Sequence, residues 1–213
     1  MIWGEHFNKV PVPSRFIGKE TYNSVFCGPN QIFLLRKYNF SVVQFQNGTV
    51  TSYQHFFTGT QIVAASFGVS HGLLLTWDGK VMPYGNNDKN QLGMKKDEEV
   101  KLIGSYSLDC VPLNIIITKV ASGSYHNVVL SDQGNVYVWG DNKFGQLGVG
   151  DQKNRAFPEL LNLEGEFIDD IFCGEYHTIL ISKKREAFVF GSNKNGQLGI
   201  GKDIDVQLTP KAL

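Results

Sequence analysis

Residues 120–150 read VASGSYHNVVLSDQGNVYVWGDNKFGQLGVG, and this stretch decides the fold. Gly123 stands three residues before His126, and an apolar run follows to Leu130. Asp132-Gln133-Gly134-Asn135 has the composition of a tight turn. In the next segment Val136 and Val138 fall on one face and Tyr137 and Trp139 on the other, the period of a β-strand. Trp139-Gly140 ends that strand, and Asn142 leads into Gln146-Leu147-Gly148.

Working outward, the same marks recur. The glycine–x–x–histidine start appears at Gly68…His71 and Gly174…His177, and an earlier copy has Gly28 with Gln31 at the histidine position. Aromatic–glycine pairs follow at Tyr84-Gly85 and Phe190-Gly191, where the early copy has Gln44-Phe45. Gln-Leu-Gly recurs at Gln91–Gly93 and Gln197–Gly199. Three motifs in one register, in copies starting about 40 to 55 residues apart, mark a repeat of propeller-blade size. No helical period persists, so the class is all-β, an array of short-stranded sheets. The array divides into a partial repeat over 1–24, a degenerate one over 25–62, a repeat with an insertion over 63–119, and two more over 120–166 and 167–213. Met1-Ile2-Trp3-Gly4 reads as the aromatic–glycine end of a copy, with Val10–Pro13 as its closing segment. The chain is thus expected to begin mid-repeat and stop at a repeat boundary. Lys183-Lys184-Arg185-Glu186 lacks the turn glycine, which predicts a wider turn in the last copy. Pro158 and Pro210 suit outer strands, where no ladder donor is needed. The insertion between Gly93 and Val120, with Lys95–Glu99 and then Leu108–Ile117, reads as a solvated loop, a partner-binding loop being the alternative.

Composition narrows the function. The 213 residues carry 20 basic and 20 acidic side chains, and this balance disfavours a nucleic-acid partner. No apolar run is long enough to span a bilayer, and the N-terminal residues lack the pattern of a signal peptide. A cytoplasmic location is expected, a nuclear one being the alternative. Cys27 and Cys173 hold one repeat position, filled by Ser122 in the central copy, and read as reduced core thiols rather than a disulfide or zinc site.

The glycine–x–x–histidine start, the aromatic–glycine pair and the Asn-x-x-Gly-Gln-Leu-Gly loop together resemble the regulator-of-chromosome-condensation repeat family. Asn142–Gly148 and Asn193–Gly199 match the loop, and Asn87–Gly93 matches with Asn90 in place of its first glycine. The resemblance implies a seven-bladed β-propeller, of which this chain holds about four blades. Half a ring would leave two blade faces uncovered. That predicts a fragment, a truncated product, or a half-propeller completed by further blades or by self-association.

Nothing in the pattern supports catalysis. His71, His126 and His177 lie on different copies, too far apart to share a metal, and read as structural groups bonded to backbone within their own blades. Gly196–Lys202 has P-loop spacing, but Asp203 stands where Ser or Thr should be, and no strand-to-helix context is present. No catalytic residue, metal or cofactor is therefore expected. Function is expected in the loops after each aromatic–glycine pair, with candidate partner contacts Asn87, Asp88, Lys89, Asp141, Lys143, Phe144, Lys194 and Asn195. The reading is a non-enzymatic interaction module for a protein partner. Guanine-nucleotide exchange on a small GTPase is the alternative that the resemblance implies, and chromatin association is weaker still.

Overall fold

The computed structural model describes residues 24–28, 31–94 and 111–213. The segments Met1–Gly4, Val10–Pro13 and Lys95–Glu99 lie outside the described residues. Alternating apolar segments joined by turns form four antiparallel sheets, each the blade of a partial propeller. The first is β1 (Ser24–Gly28), β2 (Gln31–Leu35), β3 (Asn39–Gln46) and β4 (Thr49–Phe57), in that order across the sheet. The second has β5 (Ile62–Phe67), β6 (His71–Thr76) and β7 (Val81–Gly85). The third has β8 (Ile117–Ser122), β9 (His126–Ser131), β10 (Val136–Gly140) and β11 (Arg155–Leu160). The fourth has β12 (Ile168–Cys173), β13 (His177–Ser182), β14 (Ala187–Ser192) and β15 (Val206–Ala212). The first strands of successive sheets lie beside one another and so line the inner side of the array. Pro158 and Pro210 fall on β11 and β15, the sheet edges, where a missing N–H costs no ladder bond.

Strand alternation sends each blade's two faces to two neighbours. Val136 and Val138 pack with Leu180, Phe190 and Ile168 of the fourth blade. Tyr137 and Trp139 turn the other way, onto Leu73, Leu75 and Val81 of the second. The described part of the insertion, from Val111 onward, is not a solvated loop throughout. Val111 is buried, and its N–H donates to Val81 O over 2.9 Å, as Leu161 N–H does to Val136 O in the third blade. The apolar side chain and the need to pair the edge of β7 together draw this segment into the core.

The turn at Lys183–Glu186 corrects a second expectation. Arg185 N–H donates to Ser182 O over 2.9 Å, the bond that Gly134 makes to Ser131 O over 3.1 Å, so the turn is no wider than its counterparts. Arg185 takes the left-handed position with φ 69°, which glycine fills elsewhere.

The histidines His71 and His126 are structural, but their rings do not bond backbone within their own blades; they cross to the next blade. His71 Nε2 lies 3.0 Å from Asn127 Oδ1, and Asn127 Nδ2 donates to Gln91 O over 2.7 Å. His126 Nε2 lies 3.2 Å from Thr178 Oγ1, which donates to Gln146 O over 2.8 Å. In each bridge the partner's own hydrogen is committed to the glutamine carbonyl. The imidazole must therefore donate from Nε2. The residue one place after the histidine, Asn127 or Thr178, thus answers a donor and an acceptor of the preceding blade together. Nδ1 of His71 and of His126 makes no hydrogen bond and is buried. Burial holds His71 down at about 4, and burial with the neighbouring histidines holds His126 at about 3. Both rings are therefore neutral at physiological pH.

The motif glycine belongs to the same device. A Cβ on Gly123 would come within 2.1 Å of His126 Cε1 and 2.6 Å of Gly174 O, and one on Gly68 within 2.4 Å of both His71 Cε1 and Gly123 O. Only glycine lets the imidazole lie down and the next blade approach. The last glycine of Gln-Leu-Gly repeats the logic between blades: a Cβ at Gly148 would meet the Phe190 ring at 2.7 Å.

The slot filled by Ser122 and Cys173 also differs from a simple apolar site. Ser122 Oγ donates to Asn127 Oδ1 over 2.8 Å. Cys173 lies against the core shared by the third and fourth blades, and burial pushes its thiol up to about 12. Cys27 occupies the same register in β1 but is exposed rather than in the core.

Two outcomes test this arrangement. Gly123→Ala should cost about 3 kcal/mol in urea denaturation, combining overpacking with a lost buried hydrogen bond. Gly165→Ala, where φ is +89° and a Cβ meets nothing within 4 Å, should cost only about 1 kcal/mol. The second concerns pH. The pKa of His71 and His126 is lower in the folded chain than in the unfolded one, so their contribution is complete above pH 6.5 and falls as acid protonates the unfolded chain. Stability should drop between pH 6.5 and 5 with a slope approaching about 3 kcal/mol per pH unit for two groups. His126→Gln should roughly halve that slope, read from denaturation curves across the window.

Candidate partner-binding rim

In the second, third and fourth blades one end carries both the turn before the histidine and the loop after the aromatic–glycine pair. His126 pairs with Gly140 across β9 and β10, and His177 with Gly191 across β13 and β14, which brings turn and loop together. Gly140 has φ +102°, and a Cβ there would reach Tyr125 O at 2.5 Å, so the loop can leave only from a glycine pressed on that turn.

The loop holds itself with two staples. Asn142 Oδ1 accepts from Leu147 N–H over 3.0 Å, and Gln146 Oε1 accepts from Phe144 N–H over 2.8 Å. Asn87 and Gln91 make the same bonds to Leu92 and Lys89, as Asn193 and Gln197 do to Leu198 and Asn195. The leucine after the glutamine is buried in all three loops. The signature Asn-x-x-x-Gln-Leu-Gly is therefore a self-capped loop that leaves its two central positions outward. No helix follows Gly196–Lys202, whose glycines at 196, 199 and 201 all have positive φ. Among the described residues, no cluster of three His, Cys, Asp or Glu could hold a metal.

This geometry sorts the sequence-derived candidates. Asn87 is the loop staple just described, and Asp141 is buried, accepting from Gln146 Nε2 over 2.8 Å. Asp88, Lys89, Lys143, Lys194 and Asn195 are exposed, and Phe144 is half-buried. Phe144 gathers its neighbours. Lys143 Nζ from its own loop and Lys194 Nζ from the next blade each lie 5.6 Å from its ring centroid. Its ring lies 5.0 Å from Tyr176, tilted by 59°. The phenol of Tyr176 has its pKa raised, first by burial and then by Glu175, which keeps it a hydrogen-bond donor. Neither lysine makes an ion pair among the described residues. Asp88 and Lys89, one blade away, do not join the cluster. Tyr176 escapes a reading built on loop motifs because it lies in the turn before the histidine. The signal that could have found it is the tyrosine preceding histidine at both Tyr125 and Tyr176.

At the junction of the first two blades the same end opens into a cavity of about 500 Å³ lined by Gln44, Phe45, Thr51, Ser70 and Tyr84 among others. Its cause is local: β3 and β4 are joined by the tight turn Asn47-Gly48, with φ 51° and 75°, instead of a Gln-Leu-Gly loop.

These repeats match the model of the regulator of chromosome condensation (RCC1) repeat over residues 133–181, and a second model of that description over 117–146 and 168–197. The chain is a partial β-propeller built of RCC1 repeats, within that family. It is 39% identical over 144 residues to the probable E3 ubiquitin-protein ligase HERC4 of Homo sapiens, covering 65% of this chain and 13% of that protein. It is 33% identical over 159 residues to the ultraviolet-B receptor UVR8 of Arabidopsis thaliana, covering 73% and 34%. The crystal structure of Prp20p from Saccharomyces cerevisiae superposes with a TM-score of 0.73 at 24% identity, covering 91% of this chain and 51% of that one. The chain thus spans about half, or much less, of the length of these relatives. No helix among the described residues is long and apolar enough to cross a membrane.

The staples carry a prediction. Asn142→Ala leaves Leu147 N–H without its acceptor and removes a donor to Asp151 O. It should cost about 1–3 kcal/mol and speed hydrogen exchange selectively at 141–150.

Proposed function

We propose that this chain is a non-enzymatic protein-interaction module whose third and fourth blades present the Phe144 rim to a protein partner. One observation carries the reading: a half-exposed aromatic from one blade is flanked by Tyr176 and by two lysines that make no ion pair among the described residues. Aromatic side chains framed by cations are the kind of group on which interface energy concentrates. The partner therefore offers an apolar contact bordered by carboxylates. The zero net charge favours such a local contact over a polyanion such as nucleic acid. A cytoplasmic location, or alternatively a nuclear one, fits this role.

The second reading is regulation of a small GTPase. Its support is the RCC1 repeat and the likeness to Prp20p, whose structure is described together with binding to Gsp1p and histones. The identity there is low enough to speak for the fold alone, so this reading ranks second.

A photo-cross-linker placed at Lys143 should capture a discrete protein. Phe144→Ala and the pair Lys143→Glu with Lys194→Glu should each weaken that complex about tenfold or more while leaving the melting temperature within a few degrees. Unchanged capture by all variants sinks the rim. Accelerated nucleotide release from any member of a small-GTPase panel would instead favour the second reading.

A further inference from the structure

Two of the three junctions between blades are closed at the rim end by the same pair of parts. The Gln-Leu-Gly loop of one blade lies on the aromatic ring that ends the third strand of the next. Trp139 Nε1 donates to Gln91 O over 3.1 Å, a Cβ on Gly93 would come within 2.9 Å of that nitrogen, and one on Gly148 would meet Phe190 at 2.7 Å. At the first junction the ring is present and the loop is not. Tyr84-Gly85 holds the place of Trp139-Gly140, but Gln46 passes to Thr49 through Asn47-Gly48, and β3 pairs with β4 up to that turn. The cavity of about 500 Å³ lies where the two parts meet elsewhere. Gln44, Phe45 and Thr51 line it from the first blade, and Val69, Ser70 and Tyr84 from the second.

The lining sets the chemistry of the occupant. It holds no carboxylate, imidazole, ammonium or guanidinium group. Burial raises the pKa of the Tyr84 phenol and keeps it neutral. A phosphate or carboxylate ligand finds no counter-ion there, so the occupant is neutral. The walls are largely apolar. Phe33 and Phe40 meet the Tyr84 ring edge-on at 5.7 and 5.6 Å and fix it. Phe45 packs on Ile32, Leu34 and Val43 yet stays half-exposed, and Val69 is 40% exposed. Among them stand groups that pair with a peptide backbone. Gln44 Oε1 accepts from Ser52 Oγ over 2.7 Å, while Gln44 Nε2 and Ser70 Oγ make no hydrogen bond among the described residues. The volume is that of a ligand site, which runs about 300–1,000 Å³.

We propose that this cavity is a binding site for a neutral peptide loop of a partner protein, one that lays an apolar residue followed by glycine against Tyr84. The glycine follows from the other two junctions, where a Cβ would strike the ring. The apolar residue follows from the floor. Gly72 stands where Asn127 and Thr178 elsewhere take the loop carbonyl, and the Phe67 ring covers it. A second copy of this chain cannot supply such a loop, because Leu92, Leu147 and Leu198 are each at most 2% exposed in their own blades. The cavity shares no residue with the Phe144 rim and stands whether or not the rim binds a partner.

The probe is a cyclic peptide with the neutral sequence of residues 144–150, added to the isotope-labelled whole chain. Backbone amide resonances at 44–46, 51, 69–70 and 84–85 should shift saturably, with half-saturation below about 1 mM. Leu147→Asp or Gly148→Val in the peptide should each weaken binding at least about tenfold. On the chain, Thr51→Trp fills the cavity from an exposed strand position and should abolish binding. Val69→Asp, which puts a charge on the opposite wall, should weaken it at least about tenfold. Absence of saturable shifts with millimolar peptide overturns the proposal, as does equal binding of the Leu147→Asp peptide or equal binding by both chain variants. Shifts centred on Phe144 and lost in Phe144→Ala would place the peptide on the rim and overturn the cavity site. Dimerisation of the chain that Thr51→Trp abolishes would give the cavity to a second copy and overturn the partner loop.

Discussion

A neutral imidazole lying flat on a glycine and donating into the next blade is the contact on which this array depends. The net worth of one such hydrogen bond is small, about 1 kcal/mol. Its force lies in what its loss exposes. Asn127 satisfies His71 and the carbonyl of Gln91 together, so removing it orphans a buried donor and a buried acceptor at once. The low pKa of both buried rings is the electrostatic face of the same burial, which penalises the charged form of the imidazole. Glycine at 68, 123 and 174 then reads as the consequence of ring placement rather than of turn geometry.

The first junction shows what happens when the bridge is given up. Gln31 replaces the histidine, and Gly72 stands where Asn127 and Thr178 stand in later blades. A Cβ on Gly72 would meet Phe67 at 2.2 Å, because that ring has swung over the glycine from the slot held elsewhere by Ser122 and Cys173. Phe67 stacks on Phe33 of the first blade at 3.4 Å, and Tyr84 meets Phe33 and Phe40 edge-on. An aromatic cluster has replaced a polar relay, and both ends of the relay changed together. Without the Gln-Leu-Gly loop the upper part of the junction is not filled, and the cavity beside Tyr84 results.

The division of labour inside each loop explains how one scaffold can carry varied function. Asn, Gln and Leu are fixed by backbone bonds and burial, which leaves the positions between them free of structural duty. Those positions differ from blade to blade: Asp88-Lys89, Lys143-Phe144 and Lys194-Asn195. At the third and fourth blades they meet, because Lys194 is long enough to cross the gap to Phe144.

The repeat register, the all-β class, the two faces of Val136–Trp139 and the outward loop positions were legible in the sequence by itself, because strand alternation and turn chemistry are local. What the tertiary structure decided is where each motif points. His71 and His126 bond forward to another blade, at separations of 56 and 52 residues, which no local pattern encodes. Arg185 tolerates a glycine conformation because the flanking ladder fixes the turn. Asn87 and Asp141 face inward, while Tyr176, from a different turn, completes the rim. In each case the deciding interaction joins residues that only the packing of one blade on the next brings within reach.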